Sequence, residues 1–172
     1  MKPDDILCLT LERRTGAREV SARNYAPMTK AEVIAAQRAW ATSVVDRDVD
    51  RLLDLYDYGT PGEPLLFKPT LTDTIRIDRR GARSYFVGGD PDYTDDRGFL
   101  RQGWTRVVFQ SEVGPVPMAG GPGYADMGHY AFSDGDGGVT RADYTFCYHK
   151  LGGQVLISVH HSSLTWFPPR GN

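Results

Sequence analysis

Near the end of the chain, His160-His161-Ser162-Ser163 sets two imidazoles beside two hydroxyls. A His takes or gives a proton near neutral pH, and Ser, Thr and Tyr hydroxyls bind a small planar anion through neutral donors. The four residues cannot all act in one pocket, because neighbours on a strand point to opposite faces. Read with period two over residues 154–163, Val155, Ile157 and Val159 share a face with His161 and Ser163. His161 with Ser163 is therefore the expected inward pair, and a bulge in the strand would exchange it for His160 with Ser162. On the residues alone, a hydrogen-bonded strand end and a reactive pocket stand level.

Other chemistries lack their parts. The histidines are His129, His149, His160 and His161, and no spacing among them predicts three on one zinc ion. Asp134-Gly135-Asp136-Gly137 has the look of a calcium loop, but its twelfth residue is Thr145 where a bidentate acid is needed, so it reads as a turn. Residues 119–123, Ala-Gly-Gly-Pro-Gly, lack the Lys and the following helix of a phosphate loop. No Gly-x-Ser-x-Gly elbow of a serine hydrolase is present.

The elements that must position the strand come in a simple order. Thr29-Lys30-Ala31-Glu32 is a capping box that starts a helix, along which Val33, Ile34, Gln37, Trp40, Ala41 and Val44 form one stripe. A second helix over residues 48–56 is capped by Asp46 or Asp48 and ended by Gly59-Thr60-Pro61-Gly62. Strands follow from residue 65: 65–70, 74–78, 83–87 (strand or helix-to-loop), 105–111, 124–132, 139–149 and 154–163. Residues 134–138 and 150–153 read as hairpin loops, and 114–123 as a long loop that could rim a site. Helices first and antiparallel strands afterwards describe an α+β domain with its helices on one face of a curved sheet.

The 172 residues suit one domain, with residues 1–26 as an N-terminal arm and 27–172 as the α+β unit. Twenty Lys and Arg against 22 Asp and Glu leave a net charge of -2, which offers no basic field for nucleic acid. No apolar run is long enough to span a bilayer, and the opening Met1-Lys2-Pro3-Asp4-Asp5 is acidic where a secretion signal is positive, so the expected location is cytoplasmic. Cys8 and Cys147 then read as two free thiols.

Several separated motifs, in order, resemble the iota-class carbonic anhydrases, and more narrowly their metal-free cyanobacterial and algal branch. They are Leu65-Leu66-Phe67-Lys68-Pro69-Thr70, residues 84–93, Asp96-Arg97-Gly98-Phe99, residues 103–107 and His160-His161-Ser162-Ser163. The resemblance runs from about residue 30 to about residue 165. It implies a cone-shaped antiparallel sheet wrapped around N-terminal helices, of the nuclear transport factor 2-like, cystatin-like type. It also implies reversible hydration of carbon dioxide to bicarbonate with no metal and no cofactor, and a homodimer through the outer sheet face. The family's Thr, Tyr, His and Ser fall here on Thr70, Tyr85, His161 and Ser163. Of these, Thr70, Tyr85 and Ser163 would hold substrate while His161 orients or deprotonates water. Phe67, Phe86, Trp104 and Val159 could supply apolar walls, and each is equally at home as core. One departure is that Leu164-Thr165-Trp166-Phe167 separates the His-Ser motif from Pro168. The same cone also carries ketosteroid-isomerase-like and polyketide-cyclase-like enzymes, whose carboxylate base would here be Asp126 or Asp143. It also serves as a non-catalytic ligand-binding or oligomerisation module.

Overall fold

The structure is a computed structural model that describes residues 23–60 and 63–168; the N-terminal arm lies mostly outside them. Helix α1 (Lys30–Asp46) begins at the capping box, with Glu32 N–H donating to Thr29 Oγ1 at 3.3 Å and Thr29 N–H donating to Glu32 Oε2 at 2.8 Å. Val33, Ala36, Gln37, Trp40, Ser43 and Val44 are its buried stripe, at the three- and four-residue spacing that a helix face requires. Arg47 in the left-handed region ends it, and Asp48 caps α2 (Val49–Leu53). The expected second helix stops three residues early. Tyr56 instead forms a parallel bridge to Ile157, so the end of that segment joins the sheet.

A two-stranded ribbon, β1 (Gly59–Thr60) with β2 (Glu63–Pro64), leads to β3 (Leu66–Lys68). The expected strand over 74–78 is reduced to one bridge, Arg76 to Phe67. Residues 83–87 belong to helix α3 (Arg79–Val87), which is capped by Asp78. A short 3-10 helix (Phe99–Gln102) precedes β4 (Arg106–Gln110), β5 (Val116–Pro117), β6 (Tyr124–Ser133), β7 (Val139–Leu151) and β8 (Gln154–Leu164). The main sheet runs β3-β8-β7-β6-β4, with β5 beside β6. It is antiparallel except at its edge, where β3 lies parallel to β8. Helix α1 packs against β4 and β8 inside the curved sheet. Trp40 is at the centre of that core, stacked on Tyr130 with ring centroids 5.9 Å apart. Among the described residues no helix is long and apolar enough to cross a membrane.

One irregularity decides which side chains enter the core. Cys147 is paired with Val159 and Tyr148 with Ile157, so Ser158 is an extra residue in β8. An extra residue reverses the inside-outside alternation beyond it. Ile157 is buried before the bulge, and His160 and Ser162 are buried after it.

Candidate active site at the inner end of the last strand

The bulge corrects the expected register. His160 and Ser162 face the core at 2 % and 3 % exposure, whereas His161 is exposed and Ser163 only half-buried. Val159 moves with them and is not a wall of this cavity. The His160 ring is clamped between its two cross-strand neighbours, Phe67 on β3 at 4.6 Å and Phe146 on β7 at 4.1 Å. Burial, with His161 as a lesser cause, holds the His160 imidazole well below its usual range, so the ring is neutral at neutral pH.

Both ring nitrogens have hydroxyl partners. Nδ1 lies 2.9 Å from the Tyr56 hydroxyl, which accepts from Trp40 Nε1 at 2.9 Å; Nε2 lies 3.3 Å from the Tyr130 hydroxyl. Tyr130 donates to Ser162 Oγ, and Ser162 Oγ shares a hydrogen bond with Thr70 Oγ1. Burial raises the Tyr56, Tyr85 and Tyr130 phenols above their usual range, which keeps all three protonated as neutral donors. For Tyr85 a hydrogen bond involving Thr70 opposes that rise.

Thr70 sits in the turn after β3, and Lys68 holds the turn by donating from Nζ to the carbonyls of Pro69, at 3.1 Å, and Thr72. Lys68 is thus a clamp for the turn. The far side of the turn is tied down by Arg76, whose guanidinium donates to Asp96 Oδ1 at 2.8 Å and lies 4.1 Å over the Tyr93 ring. Ser84, next to Tyr85 on α3, donates to the other Asp96 oxygen at 2.6 Å. One carboxylate therefore connects the Thr70 turn to the Tyr85 helix. Gly98 lets the chain turn there: its φ is +83°, and a Cβ would stand 2.7 Å from the Val87 carbonyl oxygen.

Trp40, Phe67, Phe86, Tyr130, His160 and Ser162 line an inner cavity of about 10 Å³, the room of about one water. It adjoins a vestibule of about 300 Å³ whose walls include Leu71, Trp104, Ala142 and Leu164. Thr70, Tyr85, Phe99 and Phe132 border both spaces. The inner cavity has no carboxylate among its lining residues. Asp126 is elsewhere, bonded to Gln37, Ser111 and Tyr144. Asp143 bonds exposed His129 at 2.7 Å. Asp96 borders the vestibule with both oxygens occupied. His149 Nε2 lies 2.6 Å from Asp57 Oδ2 without the alignment of a hydrogen bond. Among the described residues no three His, Cys, Asp or Glu side chains are grouped to hold a metal ion.

Trp40, Tyr56 and Tyr130 had not been expected in the site. Tyr130 was recoverable, because it alternates with Phe132 along a half-buried strand. Tyr56 was hidden because the helical pattern runs through it, although the helix itself ends at Leu53.

The family model of the metal-independent carbonic anhydrases matches residues 31–164. The chain belongs to that family. A metal-independent carbonic anhydrase from Nostoc sp. strain PCC 7120 is 32 % identical over 157 residues, covering 81 % of this chain and 75 % of that one. The crystal structure of a cyanobacterial iota-carbonic anhydrase complexed with bicarbonate superposes with a TM-score of 0.72 at 31 % identity, covering 82 % of this chain and 94 % of that one. A nuclear transport factor 2-like protein of unknown function from Shewanella oneidensis matches at a TM-score of 0.59 and 12 % identity, over 79 % of this chain and 99 % of that one. At that identity the likeness extends to the cone fold alone. Within the family, the motif histidine and serine that face the core of this chain are His160 and Ser162.

Proposed function

We propose that this metal-independent carbonic anhydrase hydrates carbon dioxide reversibly at the junction of the inner cavity and the vestibule. Thr70, Tyr85, Ser162 and His160 would be its working residues. The observation that carries the reading is the continuous row of neutral hydroxyls, Tyr130, Ser162 and Thr70, that leads from a buried neutral imidazole to the point where a one-water cavity opens into apolar space. Carbon dioxide is apolar and bicarbonate is a small anion, so the site needs apolar walls and a few fixed donors, without a fixed negative charge.

In this reading carbon dioxide enters through the vestibule and a water oxygen bonds to its carbon. The charge that develops on the carbon dioxide oxygens is met by the Thr70 and Tyr85 hydroxyls, whose preorganisation counts for more in a partly dry site than in water. The proton lost by the water leaves through the vestibule to solvent. Ser162 fixes the Thr70 hydroxyl. His160 works through Tyr130, since both its nitrogens are already engaged. The ligand is the one bound by the cyanobacterial relative. An isomerase or cyclase would need a buried carboxylate free to act as a base; the inner cavity has none, and of the two that border the vestibule Asp95 is exposed and Asp96 has both oxygens engaged.

Tyr85→Phe should lower kcat/KM for hydration by about a hundred-fold, the usual cost of one oxyanion donor, with an unchanged circular dichroism spectrum. Full activity in that variant would remove Tyr85 from the site. The proposal includes pairing of two copies through the outer sheet face. Its support is exposed Met127, at 67 %, with half-buried Thr145 opposite it on β7 and half-buried Cys147 two residues further along, opposite Ala125. Sedimentation at micromolar concentration would show a dimer, and a monomer would refute the pairing.

A further inference from the structure

The hydrogen-bonded row has a direction, and its buried end sets that direction. An indole N–H only donates, so Trp40 can give a hydrogen bond to Tyr56 but cannot take one. Among the described residues the Tyr56 hydroxyl has two partners, Trp40 Nε1 and His160 Nδ1. It is buried among rings, with Phe67 and Phe86 centroids at 5.6 and 6.3 Å. The Tyr56 hydrogen therefore has one acceptor available, the Nδ1 lone pair. If Nδ1 carried the hydrogen instead, the Tyr56 oxygen would face two donors and its own O–H would be buried without an acceptor.

The other end agrees independently. Tyr130 has one hydrogen and gives it to Ser162, so its oxygen presents only lone pairs to His160 Nε2. That contact is a hydrogen bond only if Nε2 carries the hydrogen. We infer that Trp40 and Tyr56 act as positioning residues that lock His160 as the neutral Nε2–H tautomer. The row then runs one way, from Trp40 to Tyr56, His160, Tyr130, Ser162 and Thr70. In this state His160 has no free lone pair toward the substrate. It is a donor relay within the row and not a base, and it makes Thr70 turn its hydrogen away from Ser162, toward Tyr85 and the pocket, as a bicarbonate oxygen or the developing anion requires. Within catalysis this deepens, and rests on, the reading of the cavity as the hydration site; the tautomer itself does not depend on that reading.

Nitrogen-15 NMR of the histidine rings in the full chain tests the inference, because ring proton to nitrogen couplings distinguish Nε2–H, Nδ1–H and imidazolium forms. The His160 signals are assigned by their loss in His160→Gln. The expected result is a single neutral Nε2–H form from about pH 6 to 8, across which an ordinary imidazole titrates. Tyr56→Phe removes the donor to Nδ1, and should give mixed tautomers together with a hydration rate lower by about ten-fold or more. A wild-type Nδ1–H or imidazolium form overturns the inference, even if Tyr56→Phe fails to fold. So does a folded Tyr56→Phe protein with tautomer and rate unchanged. An inactive wild-type protein with His160 as Nε2–H would defeat the hydration reading and leave the polarity standing.

Discussion

Ser162→Ala is expected to lower kcat/KM for carbon dioxide hydration by about a hundred-fold, while Ser163→Ala changes it by less than about two-fold. The two serines are neighbours in sequence and identical in chemistry, so the contrast isolates the side on which each lies. Removing the Ser162 hydroxyl breaks the row in two places: Tyr130 loses its acceptor and Thr70 loses the partner that fixes its rotamer. A buried tyrosine hydroxyl without an acceptor also costs about 1–3 kcal/mol of stability. Ser163 is half-buried on the opposite face and takes no part in the row. Rates measured by stopped flow on the two variants would decide between them, and a damaged Ser163→Ala with an intact Ser162→Ala would restore the unbulged register.

Asp96→Ala should be the most destabilising single change outside the aromatic core, by about 3–5 kcal/mol. Arg76 and Asp96 have side-chain exposures of 2 % and 1 %, so removing the carboxylate leaves a guanidinium charge buried without its counter-ion. Ser84 would lose its acceptor at the same time. For a chain of this length about 1 kcal/mol corresponds to roughly 2–4 °C, which makes a drop of about 6–20 °C in Tm the expected result by calorimetry. Arg79→Ala is the control. The Arg79–Asp54 pair is as short, at 2.7 Å, but its partners are 46 % and 65 % exposed, and such pairs contribute about 1 kcal/mol or less. Equal losses in the two variants would mean that Arg76 is not held by Asp96 alone.

The fold was legible where local chemistry and global packing agree. The capping box at Thr29 and Glu32, the stripe through Val33, Trp40 and Val44, and the long alternating strands each carry their own periodicity, and their order implied helices against a curved sheet. Residues 83–87 were ambiguous because Tyr85, Phe86 and Val87 favour strands. The Asp78 cap and the buried contacts of Ala82, Tyr85 and Phe86 make them a helix. In the site, Thr70 and Tyr85 could be named by family resemblance, yet the inward His and Ser could not. A bulge is set by how β8 meets β7 across the sheet, and Ser158 among Ile157 and Val159 leaves no local mark of it. Tyr56 and Trp40 were illegible for a related reason. Their roles depend on Tyr56 joining the strand edge beside Ile157, a contact across about a hundred residues whose only trace in sequence is an aromatic residue at the end of a helical pattern.

The central claim is hydration of carbon dioxide by hydroxyl and imidazole groups of the chain itself, and stopped-flow measurement on the purified protein after exhaustive chelation tests it most directly. The account predicts that the activity survives chelation and is not raised by added zinc. Loss of activity on chelation with recovery on zinc would contradict it, as would an inactive but folded protein.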